Sequence, residues 1–314
     1  MNENKHMNIL CLDGGGSKGV YTLGVLSELE KSLNCEIYKK FDLVYGTSTG
    51  SIIASLLALG YTVEEVKKIY FDLIPKIMRC RTSKKKTAIL EEFGSKIFED
   101  KYFNSFKTRI GIVSMNYETQ EPLIFKTHVD QAYGVKSSFE AGFGLKIKDA
   151  VIASCSAVPI FKQKQLLTKN KGKIIAIDGG FIANNPTLFS IVDAREALGR
   201  ELKDIKVLSI GVGNFIEKPI YKIEKLLKAS KYYSIISRIL NASSNTTEIL
   251  TNILYKDLNI IRVNKTFNEP EYGTNMVEKD IEKLEKLFQL GIRSFAIYED
   301  AITKMFNDCT TKPD

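Results

Sequence analysis

Residues 46 to 50 read Gly46-Thr47-Ser48-Thr49-Gly50, directly after the apolar run FDLVY. A Gly-x-Ser-x-Gly turn between a strand and a helix lifts the serine hydroxyl out of the fold, where it can attack an ester. A serine hydroxyl is a weak nucleophile until a base takes its proton, and histidine is the usual base. The chain has two histidines, His6 ahead of the first expected strand and His128 after PLIFKT, and neither lies in a motif. A carboxylate is the alternative. Asp178 ends the apolar stretch KIIAID and is followed by Gly179 and Gly180. In a partly dry pocket a carboxylate becomes more basic, so a Ser48–Asp178 dyad would need no histidine.

A third stretch, Asp13-Gly14-Gly15-Gly16, follows the apolar run MNILCL. Gly14, Gly16 and Gly19 form Gly-x-Gly-x-x-Gly between a strand and a helix, a pattern shared with dinucleotide-binding turns. Such a site needs an acidic residue near the end of the second strand, and that strand ends in Gly46-Thr47-Ser48 instead. The other use of the turn is an oxyanion hole. Gly14, Gly15 and Gly16 would converge N–H groups there, backed by the positive end of the following helix, and Thr49 would offer one more N–H. Lys18, in the first turn of that helix, either steadies the anion or only decorates the helix.

These residues need elements to hold them. The run SKGVYTLGVLSELEKSL repeats its apolar residues with helical spacing, so residues 7–33 read strand, glycine turn, helix. FDLVY, GTSTG and SIIASLLALG repeat that unit at once, and Thr62 is placed to cap the helix after them. Two such units in succession argue for a mainly parallel sheet covered by helices on both faces. Further strands are expected at TRIGIVSMNY, PLIFKTH, KIIAIDGG and IKVLSIGVG, with helices at IKDAVIASCSAV and LFSIVDAREAL. Beyond about residue 215 the pattern is mostly helical, apart from a short strand at LNIIRVN. No linker composition interrupts the chain, so residues 1–314 read as one domain, with a core over about 7–215 and a helical portion over about 216–310.

With 44% hydrophobic and 26% charged residues the chain has the composition of a globular protein. Its longest apolar run, SIIASLLALGY, falls short of the roughly 20 residues that a membrane span requires, and the N-terminal residues carry no secretory pattern. Five widely spaced cysteines without a Cys-x-x-Cys pair read as reduced thiols. A cytoplasmic protein able to touch a membrane surface is expected. The net charge of +8 favours anionic partners. Two lysine-rich segments stand out, KIMRCRTSKKK (76–86), whose plain reading is a solvated loop, and EKPIYKIEKLLKASKYYS (217–234).

DGGGSKG, GTSTG and DGG, in this order, resemble the signature of the patatin-like phospholipases. ASCSAVPIF, VLSIGVG, IIRVN and DIEKLEKLFQLG are similar to later parts of that family, so the resemblance spans nearly the whole chain. It departs at Lys18, where many members have arginine, and at Val158, where alanine is frequent. The resemblance implies a three-layer α/β/α fold and hydrolysis of phospholipid acyl esters, with Ser48 as nucleophile, Asp178 as base and Gly14, Gly15 and Gly16 at the oxyanion. It implies neither metal nor cofactor, and no nucleic-acid partner is expected. Some bacterial members are anti-phage effectors that a cyclic nucleotide switches on to degrade the inner membrane from its cytoplasmic face. A cyclic di- or trinucleotide is therefore an expected activator, and self-assembly through an apolar face of the C-terminal helices an expected form of partnership. The alternatives are a lipase without nucleotide gating and a nucleotide-binding protein without catalysis.

Overall fold

The computed structural model describes residues 6–134, 136–216 and 228–306, the side chains of 228–234 excepted. The segment 217–234 therefore lies outside the described residues, apart from the backbone of its last seven.

The first strand-turn-helix unit is β1 (Met7–Leu12) and α1 (Gly19–Leu33), and after a short α2 (Ile37–Lys40) the second is β2 (Leu43–Thr47) and α3 (Thr49–Ala58). Two longer helices follow, α4 (Val63–Arg79) and α5 (Ser83–Phe98). Thr62 caps α4, accepting from the Glu65 N–H while Glu65 reaches back to the Thr62 N–H. The chain then makes β3 (Arg109–Asn116), β4 (Pro122–Lys126), α6 (Ile147–Ser154), β5 (Lys164–Thr168) and β6 (Gly172–Asp178). After two short helices, α7 (Gly180–Ala183) and α8 (Thr187–Val192), come β7 (Ile205–Ile210), β8 (Asn214–Phe215), α9 (Lys228–Leu254), β9 (Asn259–Val263), β10 (Thr266–Phe267) and α10 (Ile281–Phe306).

The main sheet has eight strands, with β1, β2, β3, β7 and β9 parallel and β4, β5 and β6 joined antiparallel. Alternate residues of β1 enter two separate cores, Leu10 and Leu12 packing with α1, α3 and α10, and Ile9 and Cys11 with α7 and α8. That division makes three layers.

Several expectations needed correction. Strand β5 was not among the expected strands, and its Gln165 and Leu167 face outward and are exposed. The helix expected over IKDAVIASCSAV stops at Ser154, where the chain enters a turn toward Pro159. Nor does the core stop near residue 215. Strand β9 extends the main sheet beside β7, and α10 lies against α1 so closely that a Cβ on Gly24 would come 2.1 Å from the Phe288 carbonyl oxygen.

Candidate active site

The register of β3 explains how two residues 130 positions apart meet. β4 occupies one edge of β3, and the other edge is shared end to end. β2 runs parallel there as far as Thr47 opposite Val113, and β6 arrives from the other direction and stops at Asp178 opposite Ser114. Ser48 and Asp178 are thus the residues at which two strands meet head-on.

The elbow at Ser48 is tight. Ser48 has φ 52° and ψ −120°, a region that non-glycine residues occupy only when their surroundings hold them there. A Cβ on Gly46 would lie 2.4 Å from the Gly50 carbonyl oxygen, and one on Gly50 would lie 2.3 Å from that of Leu12. The two glycines of the motif are required by this close approach. The Ser48 N–H donates to Ser154 Oγ at 2.9 Å, and the Ser154 hydroxyl donates to the Val113 carbonyl at 2.5 Å, which ties the elbow to β3.

The Ser48 hydroxyl donates to Asp178 Oδ2 at 2.6 Å, while the Gly180 N–H donates to Oδ1 at 2.7 Å and fixes the carboxylate plane. Asp178 is buried, and among the described residues no cation lies within ion-pair distance of it. Burial pushes its carboxyl up to about 6, against the two hydrogen bonds that favour the ionised form. The neighbouring Cys155 thiol is pushed far above its ordinary value, by burial first and by Asp178 next, so it stays protonated. Neither histidine takes part. His128 is exposed beside Asp130, His6 lies near Asp204, and neither lines the pocket.

The glycine turn faces the same pocket, but not with all its donors. The Gly14 N–H donates to the Asn184 carbonyl at 3.0 Å and the Asn184 amide donates back to the Gly14 carbonyl at 3.1 Å, so Gly14 is a clamp and its N–H is not available to an oxyanion. Gly15 and Gly16 line the pocket with Ser48 and Asp178, and among the described residues no acceptor engages their N–H groups. Lys18 neither steadies an anion there nor decorates the surface. It is buried away from the pocket, its Nζ 3.4 Å from the Gly213 carbonyl, and burial pulls its pKa down to about 8. Thr49 is not among the lining residues, and its side chain hydrogen-bonds Tyr70. Tyr70 in turn donates to the Gly16 carbonyl at 2.5 Å and so couples the two turns. The rest of the wall is apolar, from Met78, Ile160, Phe161, Phe181, Leu240 and Met276.

Sequence reasoning missed Ser154, Asn184 and Tyr70. Ser154 and Asn184 lie inside stretches that drew notice for other residues, and nothing in the sequence marks Tyr70.

A serine hydroxyl held by a buried, cation-free carboxylate, at the floor of an apolar pocket with two open N–H groups, is an arrangement for acyl transfer. The family model of the patatin-like phospholipases matches residues 10–190, and the chain belongs to that family and is an enzyme of the phospholipase class. Among characterised relatives, it is 44% identical to the cUMP-AMP-activated phospholipase of Escherichia coli over 291 residues, 93% of this chain and 91% of that one. It is 31% identical to a cGAMP-activated phospholipase of Pseudomonas aeruginosa over 216 residues, 65% of this chain and 62% of the relative. In fold it is similar to human GIVD cytosolic phospholipase A2 in complex with methyl gamma-linolenyl fluorophosphonate, with a TM-score of 0.54 at 10% identity over 98% of this chain and 59% of that one.

Proposed function

We propose that the chain hydrolyses acyl esters of glycerophospholipids with Ser48 as nucleophile and Asp178 as the sole protein base, and that a cyclic nucleotide of the cUMP-AMP kind switches it on. The chemistry rests on the 2.6 Å contact between Ser48 Oγ and Asp178 Oδ2. With a pKa of about 6, Asp178 is mostly ionised at neutral pH yet far more basic than an exposed aspartate. It takes the Ser48 proton as Oγ attacks the carbonyl carbon. The oxyanion that forms is met by the N–H groups of Gly15 and Gly16, and α1 behind them adds its positive end. Asp178 then gives the proton to the departing lysolipid oxygen, and water, activated by the same carboxylate, frees the fatty acid.

Gating by a nucleotide is supported by the 44% identical cUMP-AMP-activated phospholipase, which spans nearly the same length. Action at a membrane surface, as a bacterial defence effector would require, is supported by α9. Its Ile236 and Leu240 line the pocket, while Ile239, Ile249, Ile253 and Leu254 are 56%, 58%, 58% and 64% exposed. An apolar helix face of this kind is suited to lying on lipid, and among the described residues no helix is long and apolar enough to cross it. The test is fatty-acid release from phosphatidylglycerol vesicles by the wild type and Ser48→Ala, with and without cUMP-AMP. Release that needs both Ser48 and the nucleotide is expected. Release without nucleotide would remove the gating, and release by Ser48→Ala would remove the nucleophile.

A further inference from the structure

The lysine-rich segment 76–86 is not a solvated loop. Helix α4 ends at Arg79, and Lys84, Lys85 and Lys86 form the first turn of α5, which Thr82 caps by accepting from the Lys85 N–H at 3.3 Å. That turn contains no acidic residue. The N-terminal end of a helix is its positive end, and cations there are disfavoured unless an anion joins them. Lys84 and Lys85 are exposed, whereas Lys86 is only 6% exposed.

Lys86 has no carboxylate partner among the described residues. The polar contact of its ammonium is the Met78 sulfur, at 3.9 Å, and the titratable neighbours that act on it are Cys80, which favours the charge, and a second cation, Lys279, which opposes it. Burial first, and Lys279 as well, push its pKa down, against an upward effect of Cys80. A covered ammonium without a counter-charge opposes folding. Its surroundings say what it waits for. Met78 is a wall of the pocket that holds Ser48. Thr87, the next residue, accepts from the Lys162 N–H at 2.9 Å, and Lys162 follows Phe161 of the same wall. Lys279 lies three residues after Met276, also of that wall. Lys162 and Lys279 are exposed, and among the described residues neither is in an ion pair.

We propose that Lys86, flanked by Lys162 and Lys279 at the first turn of α5, is a phosphodiester-binding subsite beside the acyl-ester pocket, and that it holds the headgroup phosphate of the lipid being cleaved. The inference rests on the reading of the pocket given above. In a glycerophospholipid the scissile ester and the phosphodiester share one glycerol unit, so seating the ester at Ser48 brings a phosphate anion to the pocket wall. The charge that is uncompensated in the free protein becomes paired only with a phosphate-bearing substrate, which separates phospholipids from neutral glycerides. A cyclic nucleotide carries the same phosphodiester, and the experiment distinguishes the two sources.

Lys86→Met keeps the aliphatic stem against Met78 and removes the charge, and Lys86→Arg restores it. With saturating cUMP-AMP, we expect Lys86→Met to raise KM for phosphatidylglycerol about tenfold, the effect of one charge-assisted hydrogen bond. Hydrolysis of diacylglycerol and the half-activating nucleotide concentration should stay unchanged, thermal unfolding without lipid should occur at the same or a higher temperature, and Lys86→Arg should recover most of the loss. Equal losses on both lipids, or no loss on either, overturn the subsite. A shift confined to the half-activating concentration overturns its assignment to the lipid and gives the phosphate to the activator. In a second arm, Ser48→Ala protein is titrated with monomeric dihexanoylphosphatidylglycerol with and without Lys86→Met. About tenfold weaker binding there supports the subsite even if the wild type releases no fatty acid, in which case only the catalytic reading falls, and equal binding overturns it.

Discussion

Asp13 and Asp178 have nearly the same local sequence and opposite surroundings. Asp13 directly follows β1 and Asp178 ends β6, each is followed by glycines, and Asp13 and Asp178 are 2% and 3% exposed. Asp13 is gripped by both arms of the Arg262 guanidinium, at 2.8 and 2.6 Å, and Ser209 shares that guanidinium. Burial pushes the Asp13 carboxyl up and the Arg262 charge and hydrogen bonds oppose that push, while the Asp13 charge holds Arg262 above its ordinary value although burial alone would pull it down. Among the described residues Asp178 has no such partner, and it accepts from one hydroxyl and one N–H. Burial therefore does not by itself make a base. A buried carboxylate with a guanidinium is an anchor, which here ties the glycine turn to β9, and one without a cation remains able to take a proton.

The most direct way to break this contrast is to remove the proposed proton relay. Ser48→Ala and Asp178→Asn should each lower kcat by about ten-thousandfold or more, and the double variant should be no worse than either single one, since the two act as a unit. Fatty-acid release under single-turnover conditions measures it. An Asp178→Asn enzyme within tenfold of wild type would move the base elsewhere. Arg262→Met attacks the other carboxylate and should act on stability. Leaving Asp13 buried without its partner should cost about 3–5 kcal/mol in urea unfolding. Adding Asp13→Leu to Arg262→Met should recover much of that loss, because neither charge is then left alone. No recovery would mean that the pair matters for its shape and not for its charge.

The same contrast shows how far the sequence could be read. Ser48 and Asp178 were legible because strand-end placement and the neighbouring glycines mark them locally. The mainly parallel sheet expected from the sequence does not account for their meeting, because β6 runs antiparallel to β3 and meets β2 end to end. Strand direction depends on pairings that no single stretch encodes, and the weak pattern of β5 concealed the hairpin that reverses β6. The same limit hid the partner of Asp13, because Arg262 lies 249 residues away in a strand marked only by its apolar run. Gly14, Gly15 and Gly16 were legible as a turn, but not as one clamp and two open donors. That division depends on Asn184, whose contacts are tertiary.

A smaller effect follows from the raised pKa of Asp178. The proposed base must be ionised to act, so kcat/KM should fall about tenfold per pH unit below about pH 6, in activity profiles of wild-type enzyme on an uncharged ester. Stability runs the other way. Between the unfolded value of 3.8 and the folded value of about 6, the folded state holds the proton more tightly, so this group's contribution to stability is largest at low pH and is lost as pH rises through that window. Asp178→Asn should abolish this dependence. If the wild type and Asp178→Asn showed the same slope of stability from pH 4 to 6, the Asp178 carboxylate would not be strained by its burial.

The smallest effect tests whether stability and catalysis separate at all. The Thr62–Glu65 capping box opens α4 at an exposed position, with Glu65 held below its ordinary pKa by the Thr62 N–H. Thr62→Ala removes the acceptor for one first-turn donor and should cost about 1 kcal/mol of stability, with kcat unchanged. If this cap, distant from the pocket wall that Met78 forms at the other end of the same helix, nevertheless lowered kcat, then destabilisation alone would depress activity. Any loss of turnover in Arg262→Met could then no longer be read as the glycine turn losing its anchor. An unchanged kcat in Thr62→Ala, beside a reduced one in Arg262→Met, would assign the second loss to the position of the turn.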